Sequence, residues 1–237
     1  MKKRLHQFSL IVILSVSGLA LHGQGVLLLS NLDQLPFQSP PGLDLGQFLA
    51  APFITGSSPS IFDSATVALR VSELPTGQVH FYLYSDANGL PASQVIGGAL
   101  NGPAAPPFPG GNYTYSATVP ILLSPDTQYW LVGTQTVGSS NPSYAWRDTE
   151  SYDYSSSVGW QLPGYCAFGH DQGASWVSSA DAPIPSPLMF EISGTVVPEP
   201  ATCNLLGIGL LLITVVNRRR LRLSFPVARL PHRSGTL

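Results

Sequence analysis

The sequence predicts an all-β fold, a β-sandwich, on three observations. Short runs alternate apolar and polar side chains with period two, turn residues separate them, and no amphipathic helix lies between Gly25 and Val197. Thr66 to Val71 sets Val67, Leu69 and Val71 on one face, against Thr66, Ala68 and Arg70 on the other. Gln78 to Tyr84 turns Val79, Phe81 and Leu83 inward and leaves His80, Tyr82 and Tyr84 on the second face. Tyr113 to Val119 opposes Tyr115, Ala117 and Val119 to Thr114, Ser116 and Thr118. Tyr129 to Val132 is apolar on both faces and reads as a central strand. Leu188 to Val196 alternates again, with Leu188, Phe190 and Ile192 inward. Weaker strand signals cover Val26–Leu29, Gln47–Ile54 and Tyr144–Trp146. Evenly spaced strands with nothing helical between them point to a sandwich of jelly-roll-like form.

Composition agrees that the middle of the chain folds. The 23 glycines and 22 prolines are about a fifth of the 237 residues, below the ~25–30% at which low-complexity disorder becomes the default. Charge is partitioned along the chain. Nine of the 11 basic residues sit at the two ends, and only Arg70 and Arg147 lie between. Twelve of the 13 acids fall between Asp33 and Glu191, so the middle carries a net charge of −10. Such a surface repels phosphate backbones, which argues against a nucleic-acid partner.

The ends read as membrane signals. MKKR is a basic start, Phe8 to Leu21 is apolar, and Leu21 and Gly23 suit the −3 and −1 positions of a signal-peptidase site. Residues 1–23 are therefore expected to be a signal peptide and residues 24–196 an exported β-sandwich domain. At the far end Pro198 and Pro200 forbid a continuing helix or strand, which leaves an extended handle around Glu199. An uncharged apolar run follows, read as a short transmembrane helix over 204–217, and Arg218, Arg219 and Arg220 close it. The run falls short of the ~20 residues that span a bilayer comfortably, and arginines in this place stay on the cytoplasmic side. Residues 221–237 form a basic extension.

This order of Pro-Glu-Pro, short helix and arginine cluster over 197–220 resembles the PEP-CTERM sorting signal of Gram-negative bacteria. The resemblance implies processing by an exosortase after signal peptidase, a transient stay in the inner membrane, and delivery to the cell surface or extracellular space. Members commonly travel with exopolysaccharide and biofilm loci. Members usually stop soon after the arginines, whereas this chain runs on. The middle resembles the choice-of-anchor R family of exported domains. The resemblance rests on LGQFLAAPFITG at Leu45 to Gly56, the SATVALRV strand, HFYLYSDANGLP at His80 to Pro91 and LSPDTQYWLVG at Leu123 to Gly133. It implies no activity and transfers no functional residues.

Chemistry-bearing patterns are sparse. The middle holds two histidines, His80 and His170, with no nucleophile-elbow motif around any serine, no HExxH and no paired CxxC. No cofactor motif is present, and a non-catalytic role is expected. Asp86 and Asn88 in SDANGLP could start a calcium loop, but no third acid follows at the spacing needed, so a plain Asn-Gly turn is expected. Asp148, Glu150 and Asp153 are the densest acid cluster and, alternating with Tyr152 and Tyr154, read as a polar loop. The separation of paired carboxylates is set in space, which leaves a carbohydrate-active enzyme as the alternative reading. Of the two cysteines, Cys166 is read as a small buried hydrophobe and Cys203 lies in the sorting signal. Aromatics crowd between Tyr144 and Trp176, and Trp146, Tyr152, Trp160 and Trp176 are candidate glycan-binding residues. Their faces suit sugar C–H surfaces, although large aromatics also fill sandwich cores.

Overall fold

The structure is a computed structural model, and it describes residues 25–37, 40–43, 47–136, 143–170, 173–179 and 186–197. The chain divides into two units, Met1–Val197 and Pro198–Leu237. The second unit lies outside the described residues, as do the expected signal peptide and the sorting motif, helix and arginine cluster.

The described part is all-β. Its strands are β1 (Val26–Ser30), β2 (Phe48–Ile54), β3 (Ser60–Val71), β4 (Gln78–Ala87), β5 (Leu90–Asn101) and β6 (Gly110–Leu123). They continue as β7 (Gln128–Thr136), β8 (Tyr144–Trp146), β9 (Ser155–Ser156), β10 (Ala167–His170), β11 (Ser175–Ser178) and β12 (Phe190–Val196). Every pairing is antiparallel. The hydrogen-bonded order is β11-β10-β2-β7-β4-β5-β6-β3-β12-β1-β9, with β8 beside β3.

That order is a nest built around one turn. Ala87 pairs with Leu90 across Asn88-Gly89, whose φ values of 58° and 78° are those a two-residue hairpin turn requires. Outward from this turn β4 pairs with β5, β3 with β6, β2 with β7 and β1 with β12. The first and last long strands thus lie side by side. Asn31, fully buried just after β1, locks them: its Nδ2 donates to Leu188 O at 3.1 Å, and its Oδ1 accepts from Phe190 N at 2.8 Å.

The sheet curls back on itself at β5. In its first part β5 pairs with β4; at Leu100 and Asn101 it pairs instead with Ala117 and Ser116 of β6. Both neighbours bulge here. Between Tyr82 and Tyr84 the partner on β5 jumps from Ala99 to Gln94, and between Phe62 and Ser64 the partner on β6 jumps from Ile121 to Ser116. Bulges of this kind turn corners between sheets. The corner also corrects one expectation. Alternation sets Val119 on one face with Tyr115 and Ala117, yet it is 49% exposed while Tyr115 is buried. Pro120 next to it has no N–H to give to the ladder, and Val119 lies in the bulged stretch between the Ser116 and Ile121 pairings. Ile121 and Leu123 then return to the core in the same phase as Tyr115.

The two curled halves close on a shared core. Phe53 of β2 stacks on Tyr129 and Trp160 at 6.0 and 5.9 Å and meets Phe190 of β12 at 6.4 Å. Phe81 of β4 meets Tyr115 of β6 at 4.6 Å and Trp146 of β8 at 5.0 Å. Val67, Leu69 and Val71, then Val79, Phe81 and Leu83, all lie in this core as their period predicted. Strands β5, β9, β10 and β11 were not anticipated from the sequence.

Candidate functional site

The central strand β7, between β2 and β4, is buried on both faces. Tyr129 and Leu131 enter the main core, whereas Trp130 and Val132 point the other way and join Ala50 and Ala167 in a second cluster. Around that cluster pack the half-buried Phe48, Tyr82, Tyr84, Leu90, Tyr165 and Trp176. The outer face of the β10-β2-β7-β4 half therefore carries an aromatic layer of its own. An apolar second face cannot stay bare, and β11 supplies part of the cover through Trp176.

Small residues make the bed for it. Trp176 pairs across the ladder with Gly169, where a Cβ would lie 2.9 Å from the Phe48 Cβ and 3.0 Å from the indole ring. The Trp176 indole is edge-on to Phe48 at 6.2 Å and to Tyr84 at 6.4 Å. Tyr165 is edge-on to the buried Trp130 at 5.8 Å.

A polar anchor runs along one side. Trp130 Nε1 and Gln128 Nε2 both donate to Asp86 Oδ1 at 2.8 Å, and Gly89 N donates to Asp86 Oδ2 at 3.1 Å. Gln128 Nε2 also reaches Tyr165 OH at 3.2 Å. Asp86 spends its oxygens on protein donors, so it fastens the Asn88-Gly89 turn to the aromatic layer as the plain-turn reading has it. Burial, with neighbouring Tyr82 adding to it, pushes the Tyr84 phenol above its ordinary range, so it stays a neutral hydrogen-bonding group. Trp176 Nε1 is shielded from solvent and has no hydrogen-bond partner among the described residues. An unpaired buried donor is costly, and a ligand oxygen would relieve it.

The four candidate aromatics do not meet. Trp146 is fully buried, its Nε1 donates to Met189 O at 2.9 Å, and it packs edge-on against Phe81 and Phe190. It is a core residue, which corrects its reading as a glycan contact: no face is left for a sugar. Trp160 is 3% exposed and stacked on Phe53, so only an edge is open to a ligand. Tyr152 is 54% exposed and lies over Gly164, where a Cβ would sit within 2.4 Å of its ring. Only Trp176 belongs to the outer layer. Crowding in sequence did not mean convergence in space, because Tyr144, Trp146 and Trp160 enter one core while Tyr165 and Trp176 face its opposite side.

The residues that build the layer were missed as site residues: Phe48, Tyr82, Tyr84, Asp86, Gln128 and Trp130. Two signals pointed to them, the aromatic second face of β4 and the two-faced apolar run of β7. The chain matches no protein-family model and no curated protein. Among the described residues, no group of three or more His, Cys, Asp or Glu is placed to hold a metal ion. Of the clustered acids, Asp148 is buried and Glu150 lines a cavity of about 260 Å³ with Phe37 and Gln34.

Proposed function

We propose that this chain is an exported cell-surface or matrix protein of a Gram-negative bacterium whose β-domain is a jelly roll that binds glycan without turning it over. Export rests on the charge partition and on the resemblance of residues 197–220 to an exosortase-processed sorting signal. The jelly-roll assignment rests on the nested order: β6-β3-β12-β1 in one half and β2-β7-β4-β5 in the other, with every hairpin-like pair centred on one turn. Such double-sheet rolls include lectin domains.

The observation that carries the binding role is the outer aromatic layer. Tyr82, Tyr84, Tyr165 and Trp176 offer half-buried rings, Gln128 and the tyrosine hydroxyls offer polar groups, and Trp176 Nε1 is an unpaired donor. Rings beside fixed hydrogen-bonding groups match the apolar faces and hydroxyl rims of sugars. The acidic middle repels anionic polymers, so the partner is an exopolysaccharide of low charge. Isothermal titration of the full chain with purified exopolysaccharide should give saturable heat, weakened at least ~10-fold by Tyr84→Ala combined with Trp176→Ala. No heat at millimolar sugar would sink the binding role, and release of new reducing ends would establish the enzyme instead.

A further inference from the structure

At one end of the sandwich, the turn that leaves β2 and the segment after β9 meet backbone to backbone. Gly56 and Gly159 face each other there: a Cβ on Gly159 would lie 3.2 Å from the Gly56 Cα, and one on Gly56 would lie 2.6 Å from Val158 O. Glycine at both positions is what permits this approach, and Gly159, at φ 82°, also holds a conformation that side chains disfavour. Beside the crossing opens a cavity of about 490 Å³, walled mainly by serines and reached by Trp160 from the core side. Its size falls within the ~300–1,000 Å³ usual for small-molecule sites, and such sites favour the mouths of closed β-structures.

Two of the serines are already spent. Ser60 Oγ donates to Ser58 O at 3.3 Å, and Ser157 Oγ donates to Leu27 O at 2.8 Å. The hydroxyls of Ser57, Ser58 and Ser156 make no hydrogen bond among the described residues. The Trp160 indole N–H is likewise unpaired among the described residues, yet it is not shut away from solvent. Its ring is held by the parallel stack on Phe53, with 10° between the planes, and its Nε1 edge faces Gly56. A fixed donor and three uncommitted hydroxyls therefore surround one space. No residue lining it is ionisable. A ligand for these walls needs both donors and acceptors, no charge, and modest apolar faces to meet Val158 and Val196.

We infer that this cavity is a second binding site, for a neutral sugar unit, with Ser57, Ser58, Ser156 and Trp160 Nε1 as its hydrogen-bonding groups. It deepens the glycan reading above and shares no residue with the aromatic layer. The test is a nitrogen-15 correlation spectrum of the indole N–H groups of the labelled full chain, titrated separately with cellotriose, mannotriose and triacetylchitotriose. At least one neutral trisaccharide should shift the Trp160 indole signal saturably, and trigalacturonate should bind at least ~10-fold more weakly. Ser57→Leu with Ser156→Leu should abolish the shift, whereas Tyr84→Ala with Trp176→Ala should leave it in place. If the neutral sugars move only the Trp176 signal, the cavity is not a sugar site and the glycan reading survives. If they move neither signal, both readings fail.

Discussion

Asp148 places a carboxyl 5% exposed in the interior, with Oδ1 lacking a hydrogen-bond partner among the described residues. Burial pushes its pKa up to about 6 and nearby Glu150 adds to this, against a smaller opposing effect from a backbone hydrogen bond. The raised value means that the folded state holds this proton more tightly than the unfolded chain does. The associated stability is complete below about pH 4 and is lost as pH rises through about 6. A shift of about two units corresponds to at most ~3 kcal/mol. Asp148→Asn removes the ionisation, so it should raise the denaturation midpoint above pH 6 and change little below pH 4. Equal midpoints for the two proteins at pH 8 would show that the carboxyl is relieved by some other contact. The neighbouring Cys166 thiol is also raised, first by burial, which suits the small-hydrophobe reading of that cysteine. The burial of Cys166 was legible in the sequence, whereas that of Asp148 was not. Asp148 stood out there as one of three clustered acids, whereas its importance comes from burial, which spacing does not encode. Trp146 and Trp160 show the same limit, since a tryptophan in a loop-rich stretch looks alike whether it faces a core or a ligand.

Among the elements, the long alternating strands were legible because a face repeating every second residue has one physical solution, burial of that face. β3, β4 and β12 follow it, and β7 was legible instead as an apolar run buried on both faces. β5 hid because its phase changes across the bulge at Gly97 and Gly98, and the end of β6 hid because Pro120 interrupts the pattern where the sheet turns. β10 and β11 are four residues each, too short for a period to show. The most informative element was β4, whose second face reads His80, Tyr82, Tyr84 and Asp86. Alternation alone labels such a face solvent-exposed, yet the aromatics there meet a second layer. Asp86 ties that layer to the turn, and Asp86→Ala would strand the Trp130 and Gln128 donors together. It should destabilise the domain by ~2–4 kcal/mol in urea melts. Asp86→Asn, which keeps an acceptor oxygen, should recover part of that loss. A melt of Asp86→Ala matching the unaltered protein would mean that the donors find water instead, and the layer would then be more open than its packing indicates.

For the whole molecule, the nested order decides where the chain begins and ends. Because β1 and β12 pair antiparallel, Val26 lies opposite Gly194, and both ends of the domain leave it at neighbouring positions. Leu29 pairs with Ile192, so the outermost hairpin closes only after nearly the whole domain has been made. Non-local closure of this kind is slow, and until it happens Leu28 and Leu29 lack the cover that leaves them almost fully buried. The expected processing sites lie just outside this closure. A cut after Gly23 leaves two residues before β1, and Val197 alone separates β12 from Pro198. Val197 N donates to Pro59 O at 2.8 Å, so the last described residue is still tied to the first unit. A cut on either side therefore spares every described strand, whereas a cut inside β1 or β12 would open the nest. Mass spectrometry of the native protein from cell and medium fractions should find a start at Gln24 and a C-terminus close to Pro198–Pro200, with every residue of β1 and β12 retained. A chain that begins at Met1 would overturn the first cleavage, and one that runs intact through Leu237 the second. Ends found within Val26–Ser30 or Phe190–Val196 would instead break the claim that these two strands close the domain.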